Sequence, residues 1–241
     1  KKESELMKTG GIDGCRIGWL FISFDKGNER WEVLETKEQL EEKFLETDRV
    51  FLDMPIGLED EEYTRECDAL MRKEVGGSYS SSVFSPPIRP ALAAPSYVEA
   101  NMISYEYTEK KLSLQSWNIT PKIQMVDDLL TTHKGLEEKV LESHPEHLFQ
   151  ILNEGEIFQK KNLKKGIKHR LKLIEEEEPV VDDFFRDIKE EYRRSEIAED
   201  DIVDAMVLAL FAKWSKEKPL KTIPAKVEKD AMGLPKAYHF V

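Results

Sequence analysis

From Ile17 to Phe24 the chain is apolar but for Gly18 and Ser23, a run of strand length. The polar stretch Asp25-Lys26-Gly27-Asn28 predicts a turn, and Trp31-Glu32-Val33-Leu34 starts a second strand, so the two form a hairpin beside an earlier short strand that ends near Asp13. Thr36 with Gln39 three residues later is a capping box, and Leu40, Phe44 and Leu45 give the helix that follows an apolar stripe. Val50-Phe51-Leu52-Asp53 predicts a buried strand, halted by Met54-Pro55. Three antiparallel strands, a helix and a further strand open an α/β domain.

The middle of the chain changes character. Tyr63, Cys67, Leu70 and Met71 recur at helical spacing until Gly76-Gly77, which places Cys67 in a core rather than in a reactive site. Ser78 to Ser82 with Pro86-Pro87 predicts a loop, Val98, Met102 and Tyr105 mark another helix, and Thr120-Pro121 has the form of an N-cap with proline at the first helical position. Residues 59–135 therefore form a mostly helical insertion within a single domain spanning 1–241. Leu136 to Glu142 predicts the return of a strand, Pro145 starts a helix, and Glu175 to Glu178 before Pro179 is a solvated helix end. A long apolar helix begins at Asp201 and continues through Phe211.

Acidic residues break this pattern at three places. Asp13 and Asp53 close apolar strands, and Asp201 and Asp204 share one face of the late helix. Carboxylates there carry a large desolvation cost unless a cation or hydrogen bonds neutralise them. Hard oxygen donors from three separate elements point to Mg²⁺ or Mn²⁺ rather than zinc. The bland alternatives are strand-end turn capping for Asp13 and Asp53, and helix N-capping for one of Asp201 and Asp204.

Composition narrows the setting. The 241 residues are 40% hydrophobic, with no run approaching a membrane span and no signal-peptide layout ahead of Lys8. Cys15 and Cys67, far apart in the sequence, fit a reducing cytoplasm. A net charge of −12 argues against a broad, non-specific grip on nucleic acid. One basic segment, Lys160, Lys161, Lys164, Lys165, Lys168, His169 and Arg170, is either a solvated helix face or a phosphate contact.

Taken in order, Gly11-Ile12-Asp13-Gly14-Cys15-Arg16-Ile17-Gly18-Trp19, Asp53-Met54-Pro55-Ile56-Gly57-Leu58, Arg65-Glu66-Cys67-Asp68 with Arg72, and Ser82-Val83-Phe84 are joined by Gln115, Pro121-Lys122-Ile123, Glu142-Ser143-His144-Pro145-Glu146 and Asp201-x-x-Asp204-Ala205. The set resembles the family called domain of unknown function 429, regarded as nucleases of ribonuclease-H-like fold; Ile17 departs from it, standing where a second glycine is expected. The resemblance implies an α/β fold with a mixed five-stranded sheet flanked by helices and the helical insertion after the fourth strand. A wider similarity to Holliday-junction resolvases implies that Asp13, Asp53, Asp201 and Asp204 hold metal ions.

In such a site two ions activate water and stabilise the leaving oxygen of a phosphodiester. Glu142 and His144 add a ligand and a proton shuttle, or else a hydrogen-bonded turn before Pro145. Zinc is not expected from His144 and His147, which lack companion cysteines and a His-Glu-x-x-His motif. Arg65, Arg72, Arg89 and Lys122 of the insertion, with Lys161, Lys164 and Lys165, are candidates for substrate phosphates, against ordinary ion pairing. The expected function is a cytoplasmic, Mg²⁺-dependent nuclease whose partner is a nucleic acid and not a membrane. The rival is a non-catalytic module of the same fold that binds a nucleotide or a protein.

Overall fold

In the computed structural model, residues 7–155 and 164–241 are described, and they divide into two compact units. The first comprises residues up to Asp53, Glu138–Leu220 and Phe240–Val241. Its sheet is built from β1 (Thr9–Cys15), β2 (Gly18–Ser23), β3 (Arg30–Leu34), β4 (Arg49–Leu52) and β5 (Val140–Glu142), in the order β3-β2-β1-β4-β5. β1 pairs antiparallel with β2, and β2 with β3, whereas β1 and β4, and β4 and β5, run parallel. This is the mixed five-stranded α/β sheet expected, and it agrees with a ribonuclease-H-like layout.

Both faces of the sheet are covered. Helix α1 (Lys37–Glu46) carries the capping box, with Gln39 N–H donating to Thr36 Oγ1 at 3.3 Å and Thr36 N–H to Gln39 Oε1 at 3.2 Å. It buries Leu40 and Phe44, and sets Lys43 over the Phe21 ring at 4.7 Å; Leu45, expected on the apolar stripe, is exposed. On the other face lies α9 (Glu199–Trp214), every residue of which from Ile202 to Ala212 is buried. Helices α6 (Pro145–Leu152), α7 (Lys164–Glu175) and α8 (Val181–Glu191) pack against α9. The acidic end of α7 is only partly solvated, because Glu178 turns inward to form an ion pair with Lys213 of α9.

The second unit comprises Met54–Glu137 and Lys221–His239. The helical segment expected over 59–135 thus forms, with a C-terminal hairpin, a compact body of its own. It contains α2 (Glu66–Val75), α3 (Arg89–Leu92), α4 (Tyr97–Thr108), α5 (Leu114–Thr132) and the two-stranded sheet of β6 (Lys221–Lys229) and β7 (Pro235–Phe240), whose last residue belongs to the first unit. The serine run is a 3-10 turn over Gly77–Ser82 rather than an open loop, held by Ser82 Oγ donating to Tyr79 O at 2.6 Å.

One expectation fails here, for an identifiable reason, and another holds. Pro121 lies inside α5, not at its start: Ser113 is the N-cap, accepting from Ser116 N–H at 3.0 Å, and Thr120 donates back to Ser116 O at 3.0 Å. Val98, Met102 and Tyr105 do mark α4, but Val98 and Met102 are 66% and 67% exposed. The helix packs through its small residues instead, with Ala100 joining Ile88, Ala91 and Leu112 in a cluster.

Candidate functional site

The site is set by how β1 meets α9. Side chains alternate along a strand, so Gly11 and Asp13 share one face of β1. That face lies directly beneath the helix: a Cβ on Gly11 would stand 2.2 Å from Ala209 N and 2.5 Å from Ala205 O. Only a residue without a side chain lets α9 settle there. Past the end of β1, Arg16 N–H donates to Glu196 O at 3.1 Å, just ahead of α9. The helix therefore runs back over the strand, and its first two turns, with Asp201 and Asp204, pass above the end of β1 that carries Asp13.

The neighbouring strand adds a second acid at the same level. Ile12 is in register with Leu52, and Asp53 N–H donates to Ile12 O at 3.1 Å, so Asp53 leaves β4 beside Asp13 at the ordinary strand spacing of about 4.8 Å. Asp13 is 8% exposed, Asp204 3%, and Asp53 and Asp201 are half-buried. Glu142 behaves differently. It is in register with Leu52, hence on the face of Leu52 and Ile12 and not on that of Asp13. Ser143 N–H donates to Leu52 O at 2.9 Å, and the buried His144 is the N-cap position of α6. Sequence reasoning grouped Glu142 with the acids because a carboxylate at a strand end looks alike on either face.

Asp13 and Asp201 already accept local backbone hydrogens. Asp13 Oδ1 accepts from Gly14 N–H at 2.8 Å, and Asp201 Oδ2 accepts from Ala198 N–H at 2.9 Å, reaching back to cap α9. With the side chains so turned, no three His, Cys, Asp or Glu groups among the described residues are gathered closely enough to hold an ion. The donors are hard oxygens, the kind that Mg²⁺ or Mn²⁺ takes, and they come from β1, β4 and α9 at one end of the sheet.

Helices α6 and α7 are joined by a buried ion pair. Glu146, in the first turn of α6, accepts from Arg170 Nη2 of α7 at 2.7 Å, and both groups are buried. Nearby His147 packs edge-on against Phe240 with ring centroids 4.8 Å apart, and burial pushes its imidazole down to about 4 from the ordinary 6.5.

The expected phosphate-binding cations fall into distinct groups. Arg65 is buried inside the second unit, where it bonds Asp68 at 2.6 and 3.1 Å and the carbonyls of Ile56 and Gly57 at 2.8 and 3.2 Å; Asp68 also accepts from Tyr238 Oη at 2.9 Å. Arg72 donates to Val83 O at 2.7 Å and Ser85 Oγ at 2.9 Å. Arg89 is held between Asp127 and Asp230, at 2.7 and 2.6 Å, and these carboxylates raise its pKa against the opposing effect of burial. All three have roles within the unit that contains them. Lys122 is half-buried on α5, Lys164 and Lys165 are exposed at the start of α7, and Lys160 and Lys161 lie outside the described residues.

No helix among the described residues is long and apolar enough to cross a membrane. No curated protein matches the chain, and no solved structure matches it. The model of the family described as protein of unknown function (DUF429) matches residues 11–229, which takes in β1 from Gly11 on, β4, α9 and all four aspartates, and the chain belongs to that family.

Proposed function

We propose that the protein is a metal-dependent phosphodiesterase acting on nucleic acid. What supports the reading is one arrangement: Asp13 and Asp53 stand level on adjoining parallel strands, beneath the turns of α9 that carry Asp201 and Asp204. Mg²⁺ or Mn²⁺ bound there would polarise a phosphoryl oxygen and lower the pKa of a bound water. Asp13, Asp53 and Asp204 are the residues to hold it, with Asp201 joining by releasing Ala198 N–H. His144, at the head of α6, is the group to carry a proton. The burial of Asp13 and Asp204 between β1 and α9 limits competition from bulk water, which strengthens charge interactions within.

The second reading is a non-catalytic module that binds a nucleotide or a protein. It is favoured by the local hydrogen bonds that Asp13 and Asp201 already make. A panel of end-labelled DNA, RNA, hybrid and branched substrates, incubated with Mg²⁺, Mn²⁺, Ca²⁺ or a chelator, separates the two. The phosphodiesterase cleaves at least one substrate with Mg²⁺ or Mn²⁺, weakly with Ca²⁺, and none in chelator. Cleavage that persists in chelator, or none under any condition, contradicts it.

A further inference from the structure

The chain has ten arginines, all within the described residues. Seven are bonded to protein groups: Arg30 to Glu32, Arg49 to Ser215, Arg65 to Asp68, Arg72 to Val83 and Ser85, Arg89 to Asp127 and Asp230, Arg170 to Glu146, and Arg186 to Asp183. The guanidinium groups of the other three, Arg16, Arg193 and Arg194, make no hydrogen bond or ion pair among the described residues, and all three residues are exposed. Arg16 is far from the other two in sequence but not in the fold. Arg16 N–H donates to Glu196 O at 3.1 Å, which brings the end of β1 against the turn holding Arg193 and Arg194.

That turn is firm. Glu196 N–H and Ile197 N–H donate to Arg193 O at 2.8 and 3.1 Å, and Arg193 N–H donates to the Glu196 carboxylate at 2.8 Å. Two nearby acids are engaged as well, Glu196 by that amide and Glu199 by Lys189 at 2.6 Å. The place also matters. Arg16 follows Asp13 by three residues, about 10 Å of extended chain, and the turn leads directly into α9 and its two aspartates. Guanidinium groups with their donors unused suit phosphate, because the planar fork bonds two oxygens at once.

We infer that Arg16, Arg193 and Arg194 form the rim that grips the sugar–phosphate backbone of a nucleic-acid strand entering the carboxylate site. The inference rests on the phosphodiesterase reading for the identity of the ligand, and it puts substrate recognition in the unit that carries the acids. It replaces Arg65, Arg72 and Arg89, which are bound up within the other unit.

Binding of fluorescein-labelled 20-nucleotide single strands, DNA and RNA in separate arms, is measured by anisotropy in chelator over a series of salt concentrations. The full chain is compared with Arg16→Ala/Arg193→Ala/Arg194→Ala, with the corresponding triple lysine variant, and with Lys164→Ala/Lys165→Ala. The triple alanine variant is expected to bind at least ~10-fold more weakly, and to lower the slope of log K against log salt by about 2, since each single-strand phosphate contact contributes about 0.7. The lysine variant should keep most of the slope and lose part of the affinity, as a point charge replaces a fork. Unchanged affinity and slope in the triple alanine variant, loss confined to the α7 lysine variant, no binding by the parent, or equal competition by polyglutamate would each overturn the inference. Binding through the arginines without cleavage in Mg²⁺ or Mn²⁺ would remove the phosphodiesterase reading and leave the rim standing. Normal cleavage by a triple alanine variant that binds normally would do the reverse.

Discussion

Asp53 stands level with Asp13 on the adjoining parallel strand, its own N–H donating to the carbonyl of Ile12 at 3.1 Å. Two carboxylates at that separation repel each other unless a cation lies between them or one is protonated. β4 ends at Leu52, and the ladder holds Asp53 through its backbone, one residue beyond the strand.

Asp53→Asn keeps the shape and removes the charge. In the phosphodiesterase reading it lowers the hydrolysis rate at least ~100-fold, with a melting temperature at or above that of the parent. A steady-state assay with the cleaved substrate checks this. A parental rate would mean that Asp53 is not part of the reacting centre.

Gly11 is the residue on which the geometry of the site depends. Because a Cβ there would meet the backbone of Ala209 and Ala205, not flexible side-chain ends, Gly11→Ala should cost about 3 kcal/mol in urea unfolding. Gly27→Ala is the control: nothing stands within 4 Å of its Cβ, and only its positive φ of 80° is strained, at a cost of about 1 kcal/mol. Equal costs would show that α9 does not rest on β1 at that point.

The places of Asp13 and Asp53 at the ends of β1 and β4 were legible because each closes an apolar run, and the Thr36–Gln39 box because its chemistry is local. Facing was less legible. The spacing of Val98, Met102 and Tyr105 marks α4 as a helix, but spacing does not say which side meets the core, and the buried side is that of Ala100 and Ser104. Glu142 was grouped with the acids, whereas only the register with Leu52 tells its face. Thr120-Pro121 imitated a helix start because Ser113, the true cap, has no proline behind it. Least legible was the fate of each arginine: Arg65 and Arg89 are committed to partners, and Arg16, Arg193 and Arg194 meet only through the fold.

The buried pair of Glu146 and Arg170 ties α6 to α7. Breaking it leaves a charge buried without its partner, so Glu146→Gln or Arg170→Met alone should destabilise by about 3–5 kcal/mol. The double variant Glu146→Leu/Arg170→Met removes both charges and should recover most of that loss. Denaturant unfolding of the three proteins checks this, and additive losses in the double variant would contradict it.

His147 supplies a dependence on pH. In the unfolded chain it takes a proton near its ordinary 6.5, whereas in the folded protein burial delays protonation to about 4. Between these values the unfolded state binds more protons. The stability His147 contributes is complete above pH 6.5 and is lost as pH falls towards 4, up to about 3 kcal/mol. From pH 7 to pH 5 the parent should lose about 2 kcal/mol more than His147→Leu. Equal losses would mean that His147 is protonated without unfolding.

The account stands most directly on whether the aspartates act together as a cation site, which melting temperature in Mg²⁺ decides without any substrate. If Asp13, Asp53, Asp201 and Asp204 converge, their repulsion strains the metal-free protein, so Asp13→Asn should melt at or above the parent in chelator. At a Mg²⁺ concentration about 100 times Kd the parent should gain about 2.7 kcal/mol, and Asp13→Asn much less. Equal responses of the two proteins to Mg²⁺, or a strongly destabilised Asp13→Asn in chelator, would show that Asp13 is only the cap of Gly14 and that no such site exists.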